Sequence, residues 1–231
     1  MPLPLAVVTG ASRGIGRAIA LRLCSQYEIV AVARSDDELE SLAQDIENLG
    51  GACRPRTVDI TDPEAVRAAL GDIEAKVLVN NAGVGVIKPL MEMSRDEWRR
   101  MVDVNVNALF DVTRTVLPGM LRLGPGGHVV VIGSIAGRSA FVGGTCYTGT
   151  KAAVQSFTEC LMLELREHGI KVSVVNPGGV ASDFGSGGFG DQSLKLKPED
   201  VADAVAKVID TPPDVLIHRV EVRTLTVPKK N

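Results

Sequence analysis

The chain has 231 residues, 45% of them hydrophobic, which is enough for one large α/β domain with a sizeable core. The formal net charge is -3 and no Lys/Arg run is long enough to follow a phosphate backbone, so nucleic acid is not an expected partner. No apolar run approaches the roughly 18–20 residues a membrane span needs, and Met1-Pro2-Leu3-Pro4 lacks the basic start of a secretory signal, so a cytoplasmic protein away from membranes is expected.

The first strand is "LAVV" (5–8), and "TGASRGIG" (9–16) follows it and opens a helix. Gly10, Gly14 and Gly16 give a G-x-x-x-G-x-G pattern. Such glycines let backbone turn tightly against a pyrophosphate, and the helix N-terminus offers free N–H groups at its positive end. A dinucleotide site is expected here, built from Gly10, Ser12, Arg13, Gly14, Ile15 and Gly16.

The second strand, "EIVAVA" (28–33), ends without the acid that would select NAD through the ribose 2′-OH. Arg34 and then Ser35 follow it, and Arg13 stands in the glycine turn. Two guanidinium groups suit a 2′-phosphate, so NADP(H) is the expected cofactor. Asp36 and Asp37 complicate that reading; they fall in the first turn of the next helix, where acids suit the dipole, and are read as structural.

That helix starts at a capping box, Ser35 to Glu38, carries Leu39, Leu42, Ile46 and Leu49 on one face, and can end at Gly50. "CRPRTV" (53–58) reads as an edge strand because Pro55 removes a ladder donor. Thr61 to Glu64 is a second box with Pro at the first helical position, and Ser94 to Glu97 a third. "KVLV" (76–79), "HVVVI" (128–132) and "IKVSVV" (170–175) are continuous apolar runs, and "DVLIHRVEV" (214–222) is a last strand. Such runs between helices argue a parallel sheet covered on both faces. "WRRMVDVNVNALFDVTRTV" reads as one long helix, with Trp98 and Phe110 as core residues. Glycine-rich "SDFGSGGFGDQS" (182–193) reads as a mobile loop over the substrate.

Tyr147 and Lys151 are one turn apart, so a cation can lower the phenol from its free value of about 10 toward neutral pH. Ala153 and Phe157 are expected to begin an apolar stripe that buries this helix. Ser134 follows an apolar strand, where open α/β sheets bind ligands, and its hydroxyl can donate to a carbonyl. Asn105 breaks the helical pattern around it, as residues at functional sites do, whereas Asn107 is expected to be an ordinary polar position. Cys24, Cys53, Cys146 and Cys160 lack paired or metal-type spacing and read as reduced thiols, Cys146 as a small packing residue. His128, His168 and His218 are scattered, and no metal site is assigned.

"TGASRGIG" (9–16), "NNAG" (80–83), "GS" (133–134), Y-x-x-x-K (147–151) and "NPGG" (176–179), in that order, resemble the short-chain dehydrogenase/reductase family across roughly residues 5–182. The resemblance implies a single doubly wound, Rossmann-type α/β domain over 1–231 with strand order 3-2-1-4-5-6-7, its cofactor half about 1–132 and its catalytic and substrate half about 133–231. It implies a catalytic tetrad of Asn105, Ser134, Tyr147 and Lys151, in which Lys151 also holds the nicotinamide ribose and Asn105 holds a relay water. It places Asp59 and Ile60 at the adenine, Asn81, Ala82 and Gly83 along the cofactor, and Pro177, Gly178, Val180 and Ser182 over the nicotinamide. Many relatives pair through the helices carrying Asn105 and Tyr147, so a homodimer or homotetramer is implied.

The expected activity is therefore NADP(H)-dependent hydride transfer to a small-molecule carbonyl or from a secondary alcohol, with Tyr147 as general acid/base. The substrate stays open among aldehydes or ketones, hydroxy acids and 3-oxoacyl thioesters. The ending "RVEVRTLTVPKKN" departs from the thioester reductases, which end in an acidic-Gly-Gly stretch, and looks more like the broad-specificity reductases and hydroxy-acid dehydrogenases. The alternative is a non-catalytic dinucleotide sensor on the same fold.

Overall fold

A computed structural model describes residues 2–181 and 195–225. Seven parallel strands form one sheet in the order β3-β2-β1-β4-β5-β6-β7. They are β1 (Leu5–Thr9), β2 (Glu28–Ala33), β3 (Cys53–Thr57), β4 (Ala75–Asn80), β5 (His128–Ile132), β6 (Lys171–Pro177) and β7 (Arg219–Val222). The helices between them are α1 (Gly14–Leu23), α2 (Asp36–Asn48), α3 (Pro63–Leu70), α4 (Arg95–Val102), α5 (Ala108–Arg122), α6 (Thr145–Leu165) and α7 (Pro198–Ile209). This is the doubly wound domain expected, with Pro55 on the edge strand; Arg54 ties that edge to Glu28 of β2 at 2.7 and 2.9 Å.

Strand residues alternate between two cores. Ala6 and Val8 face one layer with Ile19 and Leu23 of α1, Leu39 and Leu42 of α2 and Val205 of α7. Val7 faces the other with Leu70 of α3, Val112 and Val116 of α5 and Leu161 of α6. Helix α7 packs along α1, and Arg22 meets Asp203 there at 2.8 Å.

Several local expectations are corrected. Ser35 precedes α2 but makes no side-chain cap, and Asp36, Asp37 and Glu38 fill the first turn instead. The cap of α3 is Asp62, not Thr61; its carboxylate accepts from Glu64 and Ala65 N–H, with Pro63 at the first helical position. The Ser94–Glu97 box is present. Leu49 lies past the last turn of α2 and is 66% exposed, where Gly50 turns the chain at φ 79°.

The long helix is interrupted by a π-helical turn, Asp103–Asn107, between α4 and α5. Phe110 is 47% exposed, because the face of α5 on the sheet carries Leu109, Val112, Thr113, Val116 and Met120. The Arg114 guanidinium lies 5.7 Å from its ring centre instead. Trp98 is half-buried. On α6 the buried face is Lys151, Val154, Thr158, Leu161 and Leu165, while Ala153 is exposed and Phe157 only half-buried. The last strand is shorter than read, and residues 214–218 form no strand. Loop 182–193 lies outside the described residues.

Candidate active site

The site forms where the parallel strands end. Thr9, the last residue of β1, accepts at its hydroxyl from Asn81 N–H at 3.0 Å and Ala82 N–H at 3.1 Å. Asn81 Nδ2 donates back to the Thr9 carbonyl at 2.9 Å and the Gly10 carbonyl at 3.3 Å. These bonds stitch the glycine turn to the end of β4. Gly10 and Gly14 stand at φ 65° and 55°, which other residues rarely adopt. Gly16 is buried, and a Cβ there would run into the Gly10 carbonyl.

Helix α1 begins on Arg13, which makes no side-chain cap, and no acid stands in its first turn. The starts of α3 and α4, by contrast, are capped by Asp62 and Ser94. The first N–H groups of α1 and their dipole therefore face outward beside the exposed Arg13, with Ser12 and Ile15 half-buried, an arrangement that suits a phosphate.

One strand over, Arg34 is exposed and Ser35 half-buried at the exit of β2. The Asp36 carboxylate accepts from the Thr57 hydroxyl. Asp59 accepts from Thr61 N–H at 3.0 Å and the Thr61 hydroxyl at 2.8 Å. The backbone bond from Thr61 leads in holding this carboxyl below its usual range, and the charges of Arg34 and Arg100 assist.

The chemistry-bearing groups meet between β5 and α6. Ser134 is 9% exposed and caps a short 3-10 turn, Ile135–Gly137, accepting from Ala136 N–H at 3.1 Å. Its hydroxyl stands beside the Tyr147 phenol and favours the charged form of that group. Lys151, 5% exposed, donates to the Ile132 carbonyl at 3.0 Å. Burial pushes the Lys151 ammonium down to about 8. Burial also holds Tyr147 above the ordinary phenol value, and the Ser134 hydroxyl pulls it only part of the way back. The expectation of a lowered Tyr147 is thus corrected: desolvation leads and outweighs the opposing effect of Ser134, while the Lys151 ammonium faces the Ile132 carbonyl.

Asn105 sits buried in the π turn, a device common at functional sites. Its Oδ1 accepts from Val84 N–H at 2.8 Å, and its Nδ2 donates to the Val84 carbonyl at 2.9 Å and to Thr150 at 3.1 Å. Gly83 lies between: a Cβ there would stand 3.3 Å from Asn105 Oδ1 and 3.7 Å from Lys151 Nζ. Asn107 is exposed and bonds only Asp103, at 2.8 Å. A small crevice lined by Thr9, Ile60, Ala82, Asn105, Ile132 and Lys151 lies between the end of β1 and this cluster.

Pro177 ends β6, Gly178 N–H donates to the Val222 carbonyl at 2.8 Å, and Val180 pairs with Leu196. Ser182 lies outside the described residues. Cys146 is buried and burial raises its thiol, as befits a packing residue. Among the described residues no group of His, Cys, Asp and Glu could hold a metal ion, and no helix is long and apolar enough to cross a membrane. Sequence reasoning missed Thr9 and Thr150. Thr9 was marked by its place just before Gly10, and Thr150 by its place between Tyr147 and Lys151, where it bonds both the Tyr147 carbonyl, at 2.8 Å, and Asn105.

Comparison with known proteins agrees with this geometry. Residues 4–189 match the family described as short chain dehydrogenase. The chain is 31% identical to sulfoacetaldehyde reductase 2 of Chromohalobacter salexigens, over 94% of this chain and 93% of that protein. It is 32% identical to an NADP-dependent 3-hydroxy acid dehydrogenase of Salmonella typhi, over 96% and 95%. The solved alcohol dehydrogenase of Thermococcus sibiricus, complexed with 5-hydroxy-NADP, superposes with a TM-score of 0.90 at 29% identity, over 99% and 100%. With its sheet order, its glycine turn and this match, the chain belongs to the short-chain dehydrogenase family.

Proposed function

We propose that the protein is an NADP(H)-dependent oxidoreductase that moves a hydride between nicotinamide and a carbonyl or secondary alcohol, with Tyr147 as general acid/base. The observation that carries this reading is the Tyr147 phenol beside the buried Ser134, one helical turn from the buried Lys151.

The residues fit the cofactor. The uncapped start of α1, which Gly16 lets pack tightly against the Gly10 turn, takes the pyrophosphate, and Arg13 and Arg34 take a 2′-phosphate. Ile60 and Ala82 line the crevice; in this reading Asp59 and Ile60 serve the adenine, Asn81, Ala82 and Gly83 the length of the cofactor, and Pro177, Gly178 and Val180 the nicotinamide. Asp36 is engaged by Thr57, which supports its structural reading. The Salmonella relative is NADP-dependent by name, and the Thermococcus enzyme was solved with an NADP derivative. When bound, the dinucleotide supplies or accepts the hydride.

The chain's own residues handle the oxygen. Ser134 donates to the substrate carbonyl as charge grows there. Tyr147, held protonated by burial, gives its proton to the nascent alkoxide in reduction and takes it back in oxidation. Lys151 is poised near neutral pH and can hand a proton toward the phenol. Asn105 holds the segment at Val84 against α6; with Val84 and Thr150 on its amide, the second lone pair of Oδ1 is left for a relay water.

A homo-oligomer pairing through α5 and α6 is supported by the outward Phe110 and Leu163, 47% and 57% exposed. Sedimentation as a single 24.4 kDa species would overturn it.

The test follows nicotinamide absorbance with NADPH and, separately, NADH against aldehydes, diketones, keto acids and 3-oxoacyl thioesters. NADPH oxidation by one class, abolished in Tyr147→Phe, is expected. Tight NADPH binding with no turnover on any class would favour the sensor instead.

A further inference from the structure

Beneath the Ser134 turn lies a pair of buried amides that the chemistry above does not use. Gln155, one turn beyond Lys151 on α6, is 7% exposed, and Asn176, next to last in β6, is 1% exposed. The backbone N–H of Ser134 donates to Asn176 Oδ1 at 3.1 Å. That N–H can only donate, so the Asn176 atom facing it is the oxygen. Gln155 Nε2 donates to the same oxygen, and Asn176 Nδ2 faces Gln155 Oε1 at 3.4 Å. One backbone N–H therefore sets the orientation of both amides.

The turn itself is pressed onto this pair by two glycines. A Cβ on Gly133 would overlap Asn176 Oδ1 and stand 2.7 Å from Gln155 Nε2. A Cβ on Gly137 would stand 2.6 Å from the Lys151 carbonyl and 3.1 Å from Gln155 Cγ. Gly133 and Gly137 thus lie directly against Asn176 and the Lys151–Gln155 turn of α6, where no side chain of their own would fit.

We propose that Gln155 and Asn176 are positioning residues, which brace the Gly133–Ser134 peptide to α6 and β6 so that the Ser134 hydroxyl meets the Tyr147 phenol. The proposal rests on the roles given to Ser134 and Tyr147 above. The phenol rides on α6 and the hydroxyl on the exit of β5, so their separation is set by how helix and strand pack. An apolar residue at 155 removes one of the two donors that hold the Asn176 oxygen, and the Ser134 peptide is then free to shift. Lys151, on the same helix, is the charged neighbour of Tyr147; Ser134, Asn105, Gln155 and Asn176 are neutral.

The chain has two tyrosines and one tryptophan, which allows a test without a substrate. In a Tyr27→Phe background the rise of phenolate absorbance with pH reports Tyr147 alone, and Trp98 fluorescence marks the folded range. Adding Gln155→Met is expected to move that titration upward, toward the curve of Ser134→Ala. With a carbonyl that the wild type reduces, kcat is expected to fall about tenfold while the NADPH KM stays within about twofold. Gln155→Glu is expected to keep activity at low pH, where its protonated carboxyl still donates to the Asn176 oxygen, and to lose it as pH rises. A Gln155→Met protein that melts earlier but keeps the Tyr147 titration and kcat would overturn the proposal, leaving the pair as packing. If Gln155→Met does not fold, the pH dependence of Gln155→Glu decides, a profile parallel to wild type counting against the brace. Turnover surviving in Tyr147→Phe would sink the assignment of the site itself, a different outcome from failure of the brace.

Discussion

The Lys151 ammonium is bonded to the carbonyl of Ile132 at 3.0 Å, two residues before the serine whose hydroxyl meets the phenol of Tyr147. The exit of β5 therefore engages the ammonium at Ile132 and stands beside the phenol at Ser134, and the two groups are coupled through the packing of β5 on α6.

A buried Lys151 works against stability while serving the site. Its folded value of about 8 lies below the unfolded 10.5, so below pH 8 the fold carries a charge that burial disfavours. The cost is on the order of 3 kcal/mol at neutral pH and fades as pH rises from 8 to 10.5. Lys151→Met is expected to melt higher than wild type at pH 7, with turnover lower by about a hundredfold or more. Melting curves at pH 7 and pH 10 check the sign, because the gap between the two proteins should narrow at the higher pH.

His128 predicts sensitivity to acid. Its Nε2 meets Ser173 at 2.8 Å, and burial, helped by the charge of Lys171, pushes the ring down to about 3. Between the unfolded 6.5 and 3 the unfolded chain takes up a proton that the fold refuses, so stability falls with falling pH. This one residue accounts for up to about 1.4 kcal/mol per pH unit in that window. Urea midpoints at pH 7 and pH 5 should separate more for wild type than for His128→Asn, and equal separations would refute the assignment.

Gly16→Ala tests the cradle. Its Cβ would be driven into the Gly10 carbonyl, so α1 must retreat from the turn that faces the pyrophosphate. NADPH affinity, read by fluorescence titration, is expected to weaken at least about tenfold, with a stability loss of roughly 1–3 kcal/mol. Unchanged affinity would move the phosphate site away from α1.

Coenzyme choice should follow the guanidinium groups. The double replacement Arg13→Ala, Arg34→Ala is expected to raise the NADPH KM by about two orders of magnitude and leave that for NADH within a few-fold. Parallel loss with both coenzymes would mean that the arginines hold the fold or the pyrophosphate instead.

Much of this is legible in the sequence. Pro55 marked an edge strand, and that reading holds, since Pro55 lies in β3; Asn105 stood out as a polar residue in an apolar helical pattern, and it is buried beside Val84 and Thr150. The π turn around Asn105 was not legible, because one extra residue barely perturbs a helical period. Phe110 was misread because residue type reports hydrophobicity and not the face that carries it. The direction of the Tyr147 shift failed for a related reason: spacing gives the neighbouring charge but not the depth of burial. Gln155 and Asn176 were invisible, being 21 residues apart and ordinary polar types on paper.

The packing of α7 on α1 has a consequence for how the chain is made. Arg22 and Asp203 are 181 residues apart, and the apolar side of α1 that carries Ile19 and Leu23 shares one core with Val201 and Val205. A nascent chain emerging N-terminus first displays that side of α1 throughout nearly all of its synthesis. The glycine turn leaves the ribosome well before α7, the helix that covers its supporting helix. Polypeptides stalled before α7 should therefore be strong clients of chaperones and proteases, whereas the arrival of α7 closes the layer.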